Sequence, residues 1–169
     1  AIPTAVVLMA FCSVVGIATK ALLTGVQPEK HQVLWNNYTP IKGKVKVPTV
    51  FAIVRQADPK LGTAMFPGKV KFRHLWQPGT LDVFDYNGPA QDTPVAGTEE
   101  VEKQVIPAQS VAKASSKYIE EKKPNLTFIH FPDPDSAGHK SGWGSPEQKE
   151  AFKVSDQALG QVVAAIKKA

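Results

Sequence analysis

The sequence predicts an α/β domain: a mostly parallel sheet flanked by helices. Three observations carry this. Short apolar runs, Val6-Val7-Leu8-Met9 and the stretch 126–131, read as strands buried on both faces. They alternate with longer segments whose apolar residues recur at helical spacing. The 126–131 run then breaks on Pro132 into a polar loop holding Asp133, Asp135 and His139. Open α/β sheets collect functional groups at that C-terminal end of their strands.

Along the chain, residues 5–11 form the first strand and 19–24 a short helix stopped by Gly25. Residues 27–47 carry Pro28, Pro40, Gly43 and alternating Lys and Val, a loop with one short extended piece. Val50, Phe51 and Val54 give 48–57 a helical spacing. A short strand at 62–66, a helical turn at 71–76 and a strand at 81–86 follow. Gly88, Pro89, Pro94 and Gly97 make 87–97 a surface loop. Thr98 caps an acidic start, Glu99-Glu100, of a helical region that Pro107 breaks. The helix at 108–122 puts Val111, Ala112, Ser115, Tyr118 and Ile119 on one face, and Pro124-Asn125 ends it.

Ser145-Pro146-Glu147-Gln148 combines an N-cap, a proline at the first helical position and a capping box. In the final helix, 145–168, Ala151, Phe152, Ser155, Leu159, Val162, Val163 and Ile166 line one face. Lys167 and Lys168 close it where the macrodipole favours cations. There is no repeat and no low-complexity tract.

A chain of 169 residues suits one domain with a sizeable core, and 43% hydrophobic with 21% charged residues are globular values. The net charge is +5 and the pI about 9.3. Lys42, Lys44, Lys46, Lys69 and Lys71 form a diffuse basic stretch with little aromatic interleaving. That reads as a solvated surface that steers anions, and argues against a nucleic-acid partner. The lone Cys12 has no internal disulfide partner and sits in an apolar run, so it reads as a buried inert thiol. The apolar run at 5–18, interrupted by Ser13 and Gly16, is too short to span a membrane. No basic residue precedes it as in a signal peptide, and no membrane partner is expected.

Asp135 and His139 are the candidate metal ligands, because carboxylate and imidazole together suit zinc. Gly138 would turn the loop and bring His139 back beside Asp135. The competing reading is a surface loop whose Asp caps a turn. Asp133 reads as a turn or supporting residue. His130 reads as a satisfied core histidine, His31 as a loop stabiliser and His74 as packing or surface. Asn36, taken by itself, reads as a plain Asx-turn. Trp143 either walls a pocket or packs under the ligand loop.

The segment 131–145, with its Pro134-Asp135-x-x-Gly138-His139 element, resembles the metal-ligand loop of the alkaline-phosphatase superfamily, in its type I phosphodiesterase/nucleotide pyrophosphatase branch. There this element supplies an Asp and a His to one of two zinc ions, which implies the same for Asp135 and His139. Leu23-Thr24-Gly25-Val26, Pro28-Glu29-Lys30-His31 and Trp35-Asn36-Asn37-Tyr38 resemble the segment following the family's nucleophile. In that segment an Asn, matched by Asn36, binds a phosphate oxygen. The resemblance continues through 47–51 and 62–66 and runs in order over roughly residues 21–168. It implies an alkaline-phosphatase-like core, zinc as cofactor, and hydrolysis of small phosphate mono- or diesters through a covalent phospho-enzyme. It also points to a secreted or periplasmic setting.

The departures are specific. The family's Thr or Ser nucleophile falls at Val15, and the nearest hydroxyls are Ser13 and Thr19. Residues 1–26 contain no acid to serve as the family's first metal-binding Asp. The family's later Asp-His pair and last His lie beyond the helix matched by 145–168. The expectation is therefore a single α/β domain over 1–169, a piece of a larger hydrolase domain with a partial core. It would hold at most one partial zinc site, be poorly active alone, and be completed by the remainder of the enzyme or a second chain. The alternative is a non-catalytic α/β domain that binds an anion or a partner chain.

Overall fold

A computed structural model describes residues 6–10, 17–86 and 105–169. In chain order its elements are β1 (Val6–Ala10), α1 (Ile17–Thr24), α2 (Pro28–His31), a 3-10 turn (Pro40–Lys42), α3 (Val50–Ala57), β2 (Thr63–Pro67), a 3-10 turn (Val70–Leu75), β3 (Val83–Phe84), α4 (Ala108–Lys122), β4 (Leu126–His130), α5 (Asp133–Ser141) and α6 (Pro146–Lys168). The sheet order is β1-β4-β2-β3, and every pairing is parallel. This is the expected α/β architecture. The last strand in sequence is a central one, with His130 opposite both Ala10 and Pro67. All five residues of β2 and of β4 are buried, which is why these runs show no polar alternation.

Alternate residues along these strands feed two cores. Met65, Leu126 and Phe128 pack with Leu23, Val33, Phe51, Phe72 and Leu75 on one face. Ala64, Phe66 and Ile129 pack with Val111, Ala112, Ile119, Ala158 and Val162 of α4 and α6 on the other. Side chains at the helix starts satisfy the first free amides. Ser145 Oγ accepts from Gln148 N at 3.2 Å, and Asp133 Oδ2 accepts from Ala108 N at 2.7 Å, where Pro107 offers no cap of its own.

The ends of β2 and β4 are pressed together. Gly68 N donates to His130 O at 3.1 Å, and Ile106 N donates to Gly68 O at 2.9 Å. A Cβ on Gly68 would overlap the Pro132 ring, so only glycine lets these strands exit side by side.

The structure corrects several expectations. Residues 27–47 are not all loop: they contain α2 and a 3-10 turn. The third strand keeps only two of the residues expected at 81–86. Residues 133–141 are a helix rather than a loop. Pro134 in its first turn and Asp133 and Asp135 near its N-terminus all favour helix initiation. Gly138 therefore makes no sharp turn. Its small size serves packing instead: a Cβ there would sit 2.6 Å from Trp143 Cε3 and 2.7 Å from Gln148 Nε2.

On α6, Phe152 and Val163 are 51% and 38% exposed, so the expected face is wrong at both. The buried face is Gln148, Ser155, Ala158, Val162 and Ala165, because α4 and α5 approach closely enough to select small residues. The loop at 87–97, the helix opening at Thr98, and Cys12, Ser13 and Val15 lie outside the described residues. Among those described, no helix is long and apolar enough to cross a membrane.

Candidate functional site

The C-terminal edge of the sheet gathers polar groups from three segments. β4 ends at His130 and passes through Phe131 and Pro132 directly into α5. Four residues apart on one helix, Asp135 and His139 share a face. His139 Nε2 lies 3.6 Å from Asp135 Oδ1. Asp135 is 5% exposed, while His139 is largely open to solvent. The other carboxylate oxygen, Oδ2, accepts from Lys69 Nζ, delivered by the chain leaving β2. Oδ1 is buried and has no hydrogen-bond partner among the described residues.

Trp143 stands over this helix, with its ring edge-on to His139 at 5.3 Å between centroids. It is 57% exposed, so it packs on Gly138 while still bordering the open side of His139. Asp133 points the other way and caps α4, a supporting role; burial raises its pKa, partly offset by the amide of Ala108.

Beside the pair lies a cleft of about 140 Å³ lined by Asn36, Asn37, Tyr38, Lys69, Val70, Lys71 and Val105. Lys71 Nζ donates to Asn36 Oδ1 at 3.1 Å. The ground beneath is electropositive. Lys20 is buried, and its pKa is lowered to about 8, first by desolvation and then by the charge of Lys71. The buried imidazole of His130 is held down to about 3 by desolvation and then by Lys69 and Lys71.

Residues 11–169 match the family described as type I phosphodiesterase / nucleotide pyrophosphatase. The chain belongs to that family. No curated protein matches it significantly. Among solved structures, it is similar to phosphonoacetate hydrolase from Sinorhizobium meliloti 1021, seen with phosphonoformate and with phosphonoacetate. Each likeness has a TM-score of 0.58 at 18% identity, and covers 94% of this chain and 44% of the other. It shows a shared fold, and the chain spans less than half the length of these structures.

Among the described residues of this type I phosphodiesterase-family chain, no three His, Cys, Asp or Glu side chains cluster as a metal set. Asp135 and His139 are brought together, and Asn36 borders the neighbouring cleft across Lys69 and Lys71. The structure refines three readings made from sequence. Lys69 and Lys71 are cleft walls rather than diffuse surface, whereas Lys42, Lys44 and Lys46 are exposed as expected. Of the two readings of His74, packing holds, since it is buried against Trp35 and Tyr38, and it is also a hydrogen-bonding hub. His130 is in the core, but neither ring nitrogen has a hydrogen-bond partner among the described residues. The pattern Lys-x-Lys just past a strand end was the signal for the cleft. Its weight depended on knowing that β2 ends beside β4.

Proposed function

We propose that this chain supplies the Asp–His wall and the basic cleft of a metal-dependent phosphoester hydrolase site. The observation that carries the reading is Asp135 Oδ1, buried without a hydrogen-bond partner among the described residues and 3.6 Å from His139 Nε2. Two ligands of a tetrahedral zinc, each about 2.0–2.1 Å from the ion, sit roughly 3.3–3.4 Å apart. The observed separation needs only a small side-chain adjustment to meet that. Lys69 occupies Oδ2 and leaves Oδ1 for a cation.

In this reading Asp135 and His139 hold the zinc, which when bound supplies Lewis-acid polarisation of a phosphoryl oxygen. Lys69 and Lys71 attract the anionic ester into the cleft. Asn36, its Oδ1 taken by Lys71, keeps its amide N–H₂ to donate to a phosphoryl oxygen. The substrate class is a small phosphate mono- or diester. Family membership supports it, as do the phosphonate ligands named for the similar solved structures.

Two protein ligands fall short of the three that a catalytic zinc site takes, so the chain alone is a poor catalyst in this reading. The Lys69–Asp135 ion pair also favours a second reading, in which the carboxylate is neutralised without metal and the domain binds an anion only. Titration with zinc, and with cobalt as a spectroscopic reporter, separates them. The first reading expects binding that weakens by about tenfold or more in both Asp135→Ala and His139→Ala. Equal metal affinity in all three proteins would overturn it. Phosphate binding that needs no zinc would favour the second.

A further inference from the structure

We infer that His74 is a positioning residue for the anion cleft, setting from below the loop that carries Asn36 and Tyr38. The inference rests on the reading of that cleft as an anion site. Residues 32–35 and 38–39 form no regular element, and the rest of the stretch up to the 3-10 turn at Pro40 is a bend at 36–37. Its backbone has no ladder to lean on, so ties to other segments must order it.

His74 provides most of those ties. Trp35 Nε1 and Thr39 N both donate to His74 Nε2, at 3.0 and 3.1 Å. Both are obligate donors, so Nε2 carries the lone pair and the ring proton is on Nδ1. Nδ1 then donates to Gly43 O at 2.6 Å, while Asn37 O, 3.2 Å from the unprotonated Nε2, is a near contact of two acceptors and not a hydrogen bond. One neutral imidazole thereby grips the loop before and after Asn36 and anchors it to the chain beyond the 3-10 turn. The ring also packs against Tyr38, 5.3 Å between centroids, and edge-on against Trp35 at 5.4 Å. His74 is 1% exposed, and burial keeps it in the neutral form this arrangement requires.

The same element also reaches the cleft directly. His74 and Lys71 are three residues apart in the 3-10 turn Val70–Leu75, and in that helix type residues i and i+3 lie one above the other. Lys71 holds the Asn36 side chain, while His74 holds the backbone on either side. Lys20 adds a third tie, from Nζ to Trp35 O at 2.7 Å. The turn after β2 therefore fixes both a cation of the cleft and the height of Asn36 above it.

The test compares His74→Gln with His74→Asn in the full chain. Glutamine can place an acceptor near the Nε2 position; asparagine reaches only the Nδ1 level. The probe is inorganic phosphate, measured by calorimetry, with amide exchange over 33–39 as a second readout and urea midpoints to confirm folding. We expect His74→Asn to weaken phosphate binding by about tenfold, the loss of one or two net hydrogen bonds, and to speed exchange over 33–39. His74→Gln should stay within about threefold of the parent. Equal losses in both variants would mean a merely structural role, and unchanged affinity and exchange in both would also overturn the inference. If the parent binds no phosphate, the anion reading itself falls, and exchange over 33–39 with rescue by glutamine decides the positioning claim alone.

Discussion

Replacing His130 by leucine should flatten the acid limb of this protein's stability curve. His130 is fully buried at the end of β4, its ring 4.6 Å from that of Phe72. Desolvation, followed by the charges of Lys69 and Lys71, lowers its pKa from 6.5 to about 3. In the unfolded chain the same imidazole takes up a proton below its ordinary pKa of about 6.5. Between those values the unfolded state binds more protons, so stability falls as pH falls. The contribution is fully present above about pH 6.5 and lost progressively towards about pH 3.

At one unit per about 1.4 kcal/mol, the loss is about 3 kcal/mol at pH 4.5 and about 4 kcal/mol by pH 3. Against a typical domain stability of about 5–15 kcal/mol, that is a large fraction. Burial also lowers the pKa of His74, which acts in the same sense, whereas the raised pKa of Asp133 acts in the opposite sense. Both groups are present in the two proteins and cancel in the difference. Urea unfolding of parent and His130→Leu from about pH 7.5 to 4.5 gives the result directly. The parent should lose about 2–3 kcal/mol more than the variant over that range. Near neutrality the variant should cost little, since it removes two nitrogens that have no hydrogen-bond partner among the described residues. Parallel pH profiles would refute the reasoning and show that the folded state accepts this proton freely.

Gly138→Ala should destabilise the fold by about 1–3 kcal/mol in urea unfolding, because the new Cβ overlaps Trp143 and Gln148 where α5 meets α6. An unchanged midpoint would show that the Trp143 ring moves aside at no cost. Ser145→Ala removes the acceptor for Gln148 N at the start of α6 and should cost about 1 kcal/mol by the same measurement, with Ser145→Asp restoring it. Under the proposed reading, the 169-residue chain should show negligible zinc-dependent hydrolysis of aryl phosphate mono- or diesters in a steady-state assay on material of verified mass, because the family resemblance aligns Val15 with the nucleophile. Robust turnover abolished by Asp135→Ala would reverse that conclusion and assign the missing hydroxyl to Ser13, Thr19 or a partner chain.

The candidate site was legible in part. Asp135 and His139 could be named because a local signature, an apolar strand broken by proline ahead of a Gly-His pair, lies within 14 residues from Leu126 to His139. Their local conformation was misread: the break at Pro132 suggested a loop, whereas Pro134 and the acidic residues on either side of it start a helix. Helical spacing, not a glycine turn, brings His139 beside Asp135. Lys69 was missed as a partner of Asp135 because they are 66 residues apart in the chain. The hydrogen bonds of His74 were missed for the same reason, since its partners lie 31 to 39 residues away.

The sequence by itself determined the strands, the helices α1, α3, α4 and α6, and the α/β alternation. Those depend on local causes: the unbroken apolar runs of β2 and β4, the capping Ser145 and the helical spacing in α4. Only the tertiary structure decided that β4 inserts between β1 and β2. That insertion carries Asp135 to Lys69 and places the Asn36 loop over Lys71. It also decided that α6 buries Ala158 and Ala165 while leaving Phe152 in solvent. Strand order and helix approach are fixed by which surfaces fit at close range, and a period of apolar residues records the existence of a buried face but not the neighbour that covers it.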